Sequence, residues 1–121
     1  MTERLLAAAL LLAAAWPVGA AEPSGEALYK TYCWQCHGSR GTGHGINAGD
    51  NMSVQPRDHT DAQYMAARSD EELFRAIKDG GPAVNKSVLM PPWGGALSDE
   101  EIRRLVAYLR ELCRCRHGAA P

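Results

Sequence analysis

Five consecutive residues, Cys33-Trp34-Gln35-Cys36-His37, carry the side chains best suited to chemistry in this sequence. Two cysteines separated by two residues, with a histidine directly after the second, have the spacing that attaches c-type haem (heme c). The two thiols can add to the two vinyl groups of one porphyrin, and the adjoining histidine can bind the iron. The segment therefore predicts one covalent haem held by Cys33 and Cys36, with His37 as an axial ligand.

Two other kinds of site use paired cysteines at this spacing. Thiol–disulfide proteins contain Cys-x-x-Cys, and the same pair forms half of many zinc sites. The adjoining histidine and the signs of export described next favour haem. A thiol or zinc protein without haem is the remaining alternative.

The first residues have the features of a secretory signal. Arg4 is a basic start, residues 5–15 form an unbroken apolar run, and residues 18–20 offer small side chains for cleavage. The apolar run is too short to span a bilayer as a helix. We predict a signal peptide over residues 1–21, a periplasmic location and no stable membrane insertion after cleavage. The alternative is an uncleaved N-terminal anchor.

The composition indicates a small domain without a nucleic-acid partner. The 121 residues have a formal net charge of -1 and no block of basic residues, so neither nucleic acid nor a membrane surface is an expected partner. A mature chain of about 100 residues has a limited apolar core, and a buried haem would supply much of what is missing. We predict one domain over residues 22–112 and a tail over residues 113–121.

The apolar pattern predicts an all-α domain, because no stretch alternates with period two. Capping residues and apolar spacing indicate four helices: residues 25–32 after Ser24, residues around 61–67, residues 69–79 with Ser69 and Glu72, and a last helix beginning after Ser98. The last helix has an apolar stripe on one side and Arg103, Arg104 and Arg110 on the other. Residues 83–96 are expected to form a loop. Gly25 indicates either a close helix crossing or a frayed helix start.

The iron needs a second axial ligand or keeps an open position, and this choice separates electron carriers from ligand-binding proteins. Met90 precedes two prolines, which hold the backbone out of a helix, and lies well downstream of Cys36. A thioether there would complete the iron's coordination and raise its potential. We predict Met90 as the ligand, with Met65 in reserve. The free histidines are expected to be exposed: His44, His59 and His117.

The mature chain resembles a bacterial class I cytochrome c, the small monohaem type, over roughly residues 25–112. Three pieces carry the resemblance: Gly25 and Leu28-Tyr29 before the haem motif and Gly38; Met90-Pro91-Pro92-Trp93-Gly94-Gly95; and Leu97-Ser98-Asp99-Glu100-Glu101-Ile102 leading to Leu105-Val106-Ala107-Tyr108-Leu109. The resemblance implies a cytochrome c-like fold, with about four to five short helices wrapped around one covalent haem.

The resemblance also implies roles for individual residues. The first and last helices would cross closely at Gly25. The carbonyl of Pro56 would accept a hydrogen bond from the second ring nitrogen of His37. Trp93 would lie near the haem edge, with simple packing as an equal alternative. His59 departs from the family pattern, since a large apolar residue is usual after Pro-Arg-Asp.

These features predict a soluble one-electron carrier with His/Met ligation and no catalytic residues. Its partners would be redox proteins that dock weakly and briefly, such as a membrane oxidase, a reductase or a periplasmic dehydrogenase. The alternative function is a haem peroxidase or gas-binding cytochrome with a labile or open sixth position.

The C-terminal tail does not have the haem spacing. One residue separates Cys113 from Cys115, and another separates Cys115 from His117. A disulfide within the tail, a disulfide between chains and a soft-metal site are all compatible with this pattern.

Overall fold

Five α-helices and one 3₁₀ turn form the regular elements of residues 19–121, the part of the chain that the computed structural model describes. The elements are α1 (Gly25–Tyr32), α2 (Trp34–His37), α3 (Ala62–Ala66), α4 (Asp70–Asp79), the 3₁₀ turn (Gly81–Val84) and α5 (Asp99–Cys113). The predicted all-α class is confirmed. Most of the predicted signal peptide, residues 1–18, lies outside the described residues. No helix in residues 19–121 is long and apolar enough to cross a membrane.

The three longer helices begin where the capping residues predict. The Ser24 side chain caps α1. Ser69 and Glu72 form a complete capping box at the start of α4, and Ser98 and Glu101 form a second one at the start of α5. In each box the serine hydroxyl accepts the third residue's N–H, and the glutamate accepts the serine's N–H.

The first and last helices cross at Gly25. A Cβ at this position would lie 2.9 Å from the Cβ of Tyr108 and still closer to the carbonyl oxygen of Arg104. The close crossing is therefore confirmed, and the frayed start is wrong. Buried residues of both helices form much of the core: Leu28 and Tyr29 from α1, and Ile102, Leu105, Val106 and Leu109 from α5.

The structure adds two short elements that the sequence pattern did not predict. The helix α2 has four residues, which is too short to show a 3.6-residue period. The 3₁₀ turn lies directly after α4 and has Pro82 in its first positions, where the missing N–H costs no hydrogen bond. It ends at Asn85, whose φ of 57° is left-handed. The predicted loop is therefore confirmed only from residue 85 onward.

The tail folds back on the domain. Cys113 and Cys115 form a disulfide, so of the three alternatives the bond within the tail is the one that the structure contains. The N–H of Gly118 donates to the carbonyl of Ala66 at 2.8 Å. The last residues are thereby attached to the end of α3.

Candidate functional site

The haem motif occupies the junction between α1 and α2. Cys33 is both the C-cap residue of α1 and the N-cap residue of α2. Its carbonyl accepts hydrogen bonds from the backbone N–H groups of Cys36 and His37 at 3.2 and 3.0 Å. Side chains three residues apart in helical backbone are neighbours, so the two thiols share a face. Both thiols and the imidazole of His37 line one cavity.

This cavity has a volume of about 720 Å³, within the range of about 300–1,000 Å³ that ligand sites occupy. Every element of the fold contributes to its walls. The lining is mostly apolar and aromatic and includes Tyr29, Tyr32, Met65, Leu73, Ile77, Val84, Trp93, Leu105 and Leu109. A deep apolar cavity with two thiols and an imidazole in its wall fits a haem.

The ring of His37 is oriented by a backbone carbonyl. Its Nδ1 lies 2.9 Å from the carbonyl oxygen of Arg57. Because a carbonyl only accepts, Nδ1 carries the proton, and Nε2 is left unprotonated with a lone pair that could bind a metal. Burial lowers the pKa of His37, which favours the neutral imidazole that binds iron.

The predicted partner of His37, the carbonyl of Pro56, is wrong by one residue. A Cβ on Gly43 would lie 2.6 Å from the Pro56 carbonyl oxygen. This carbonyl therefore faces the Gly-rich loop, residues 38–51, which follows the haem motif. The next carbonyl, that of Arg57, is the one that faces His37. Pro56 still lines the cavity.

The prediction that His59 is exposed is also wrong. Its ring stacks on that of His37, with centroids 4.2 Å apart and planes 17° from parallel. Burial, followed by the charges of His37 and Arg57, holds the pKa of His59 well below its usual value. The sequence signal was its position, since His59 takes the place of a large apolar residue. Exposure is confirmed for His44 and His117.

All three methionines in residues 19–121 contribute to the cavity wall: Met52, Met65 and Met90. Met65 is completely buried in α3, with 0% of its surface exposed. Met90 is half-buried, and its segment is held by two backbone hydrogen bonds. Its N–H donates to Ser87 at 3.2 Å, and its carbonyl accepts from Gly81 at 2.9 Å.

Trp93 packs against a neighbouring ring and also lines the cavity, and its position relative to a haem edge stays a prediction. Its indole packs against the ring of Tyr32, with centroids 5.3 Å apart, and it also lines the cavity. The backbone N–H of Trp93 donates to the carbonyl of Ile77 at 2.9 Å, which attaches the segment that follows Met90 to the last turn of α4.

The Cys33 thiol does not have the lowered pKa of a reactive cysteine. Neither Cys33 nor Cys36 is in a disulfide within the described chain. Burial, with a smaller effect of Cys36, raises the pKa of the Cys33 thiol to about 12, whereas reactive cysteines have lowered pKa values. This shift argues against the thiol–disulfide alternative. In residues 19–121, no group of three or more His, Cys, Asp or Glu side chains is placed to hold a metal ion.

Residues 20–109 match the family model described as "Cytochrome C oxidase, cbb3-type, subunit III". The chain belongs to this family of c-type cytochromes. The predicted resemblance and the cytochrome c-like fold are confirmed, and the family implies covalent haem c, electron transfer and redox partners. No protein of curated function matches the chain.

Two solved structures are similar to this one. The structure named "KustC0563 c-type cytochrome" is 30% identical with a TM-score of 0.58, and the match covers 74% of this chain and 98% of that one. A chain of the "Kuenenia stuttgartiensis reducing HAO-like protein complex Kustc0457/Kustc0458" is 31% identical with a TM-score of 0.58. That match covers 73% of this chain and 40% of the other.

Cationic side chains gather on one part of the cytochrome's cavity. The guanidinium groups of Arg57 and Arg68 lie 3.8 and 4.7 Å from the ring centroid of Tyr64. Burial acts to raise the pKa of Tyr64, but the hydrogen bond from Arg68 and the charges of Arg57, Arg68 and Lys86 lower it overall. All four residues line the cavity.

Proposed function

We propose that this cytochrome is a soluble periplasmic one-electron carrier with one haem c. Cys33 and Cys36 form the thioethers, and His37 and Met90 are the axial ligands. The observation that carries the proposal is the hydrogen bond from His37 Nδ1 to the Arg57 carbonyl, because it presents Nε2 of the imidazole to the same cavity that Met90 lines. The domain would comprise residues 22–112, released from a signal peptide over residues 1–21, with residues 113–121 as its tail.

The chain's residues divide the work of holding the cofactor. Bound haem supplies an iron that alternates between Fe(II) and Fe(III). The apolar walls exclude water, and Arg57, Arg68 and Lys86 supply positive charge for the two carboxylates of a haem. Both ligand-bearing segments are fixed by backbone hydrogen bonds, so electron transfer would require little rearrangement of the protein.

The surface beside the cavity suits a brief encounter with a redox partner. Val54 and Leu89 line the cavity and are exposed, at 51% and 58%, and the neighbouring Val88 is 79% exposed. A small apolar surface of this kind fits weak electron-transfer complexes. We propose that the partner is a membrane oxidase, a reductase or a periplasmic dehydrogenase.

A second candidate function is a haem peroxidase or gas-binding cytochrome. The observation that favours it is the exposure of Val88 and Leu89 directly before Met90, since a ligand on an exposed segment is more readily displaced. In that case Met90 would leave the iron, and a small molecule would enter the sixth position.

Absorbance of the oxidised, haem-loaded protein separates the two functions. The carrier should show the near-infrared charge-transfer band of thioether-bound iron, and its reduced form should not bind carbon monoxide readily. A missing band with ready carbon monoxide binding would overturn the carrier in favour of the second function. The intact mass of the exported protein gives both the cleavage site and the number of haems, and a mass without haem would overturn both functions.

A further inference from the structure

His59 is neither a proposed haem ligand nor a haem-attaching residue, yet its ring is held against the face of the His37 ring. The two rings stack at 4.2 Å between centroids. The backbone N–H of His59 donates to the carbonyl of Gly41 at 2.6 Å. A Cβ at Gly41 would lie 3.4 Å from the Cβ of His59. The Gly-rich loop after the haem motif therefore covers the residue closely.

The hydroxyl of Tyr29 fixes the His59 ring from a second direction. It donates to the carbonyl of Gly38 at 3.2 Å and lies 3.5 Å from Nδ1 of His59. Since the single hydroxyl proton is used by Gly38, the phenol oxygen is left to accept from Nδ1. The two rings also meet edge to face, at 71° between planes. Tyr29 is completely buried, so the arrangement has little freedom to move.

The segment that carries His59 contacts His37 twice. The carbonyl of Arg57 accepts from Nδ1 at the edge of the ring, and two residues later the ring of His59 covers its face. The edge contact fixes the direction in which the imidazole points, but it permits rotation about the line joining Nδ1 to the carbonyl oxygen. The face contact removes that rotation.

We propose that His59 is a positioning residue that fixes the plane of the axial imidazole, acting together with the Arg57 carbonyl. The inference rests on the proposed function, because it requires His37 to be an iron ligand. The orientation of an axial imidazole plane determines the g-values of low-spin Fe(III). The stacked ring also covers one face of His37. Its loss would bring water closer to the ligand and favour the more highly charged Fe(III), since contacts around an axial ligand adjust the potential of the iron.

The test compares variants of the full haem-loaded protein by electron paramagnetic resonance of the oxidised form and by redox titration. His59→Ala removes the stacked ring, whereas His59→Phe keeps an aromatic ring without nitrogen. We expect His59→Ala to give a broadened or multiple low-spin signal and a lower midpoint potential. His59→Phe should restore a single signal close to that of the wild type. The exposed His44→Ala is the matched control and should change neither readout.

A His59→Ala protein with the wild-type signal and potential would overturn the proposal. If His59→Phe behaved like His59→Ala, ring stacking would be excluded as the cause. Should His59→Ala fail to fold, His59→Leu fills the space without a ring. A wild-type signal from His59→Leu would again overturn the proposal, and an altered one would support it. The ligand assignment is tested separately by pulsed electron paramagnetic resonance of the wild type, which must show coupling between the iron and a nitrogen of His37. Absence of this coupling would refute the proposed ligation itself.

Discussion

The Cα of Gly25 lies against the backbone carbonyl of Arg104, where α1 crosses α5. This contact leaves no room for a side chain between the two helices. It also affects the haem site, because α1 ends at Cys33 and α5 contributes Leu105 and Leu109 to the cavity wall. The crossing therefore sets the distance between the haem-attaching residues and the wall formed by α5.

We expect Gly25→Ala to lower the free energy of unfolding by about 1–3 kcal/mol, since an added methyl group must push the helices apart. The higher helix propensity of alanine, worth about 1 kcal/mol inside a helix, offsets only part of this cost. Denaturant unfolding of the haem-loaded protein measures the change. Gly95→Ala is the control, because nothing lies within 4 Å of a Cβ there. Equal stability of the two variants would contradict the close crossing.

Arg110 joins α5 to the end of α3 and to the residues that follow it. Its guanidinium donates to the carbonyls of Met65 and Arg68 at 2.7 and 2.6 Å and to Asp70 at 2.8 Å. The side chain is 12% exposed, whereas that of Asp70 is 71% exposed. The two carbonyls, rather than the exposed carboxylate, are therefore the partners that depend on Arg110.

Replacing Arg110 with alanine should lower the free energy of unfolding by about 2–4 kcal/mol, because two carbonyls lose a charged donor, although that of Met65 keeps the N–H of Arg68. Asp70→Asn should cost less than about 1 kcal/mol, as is typical of an exposed ion pair. Denaturant titration of both variants checks the order. A larger effect of Asp70→Asn would show that the ion pair is the main contribution.

Sequence alone was sufficient for features that depend on near neighbours. Ser69 with Glu72 and Ser98 with Glu101 predicted helix starts, because a capping box involves residues three apart. The apolar stripe of the last helix predicted the buried face of α5. The lining of the cavity by Cys33, Cys36 and His37 follows from their spacing, which places all three on one turn of backbone.

Contacts that depend on the path of a loop were not predictable in this way. Pro56 and Arg57 are adjacent, and which carbonyl faces His37 depends on how residues 38–51 fold back over them. The stacking of His59 on His37 depends on the same loop. Arg110 lies on the side of α5 away from the apolar stripe, yet it is nearly buried because α3 covers that side. Each case joins residues 20 or more positions apart.

The disulfide between Cys113 and Cys115 should contribute little to the stability of the haem domain. Closing a loop of about three residues lowers the entropy of the unfolded chain and so raises its free energy by only about 1.5 kcal/mol. In protein whose haem is already reduced to Fe(II), dithiothreitol should therefore leave the haem spectrum unchanged and release mainly the tail, seen as faster hydrogen exchange at Gly118. The double variant Cys113→Ala/Cys115→Ala is the control and should no longer respond to dithiothreitol. A haem spectrum that changed when the disulfide was reduced would instead link the tail to the haem site.

Acid should remove the contribution of the capping box at α5. The hydrogen bonds from the backbone and side chain of Ser98 lower the pKa of Glu101. A carboxylate with a lowered folded-state pKa stabilises the protein above its unfolded-state pKa, about 4.3, and loses this effect as the pH falls through the folded value. Wild type should therefore exceed Glu101→Ala in stability by a constant margin near pH 7, and the margin should shrink as the pH falls below about 4. A margin independent of pH would contradict this role.

Replacing Met90 and Met65 with alanine, one at a time, distinguishes the predicted ligand Met90 from the core residue Met65. Met90→Ala should keep its haem but lose the near-infrared band, bind carbon monoxide and have a lower potential, since the thioether favours Fe(II). Met65 is completely buried, so Met65→Ala should keep the band while its free energy of unfolding falls by about 2–5 kcal/mol. Absorbance, redox titration and denaturant unfolding of both variants provide the comparison. If Met65→Ala lost the band and Met90→Ala kept it, the sixth ligand would come from α3, and Met90 would serve only to close the cavity.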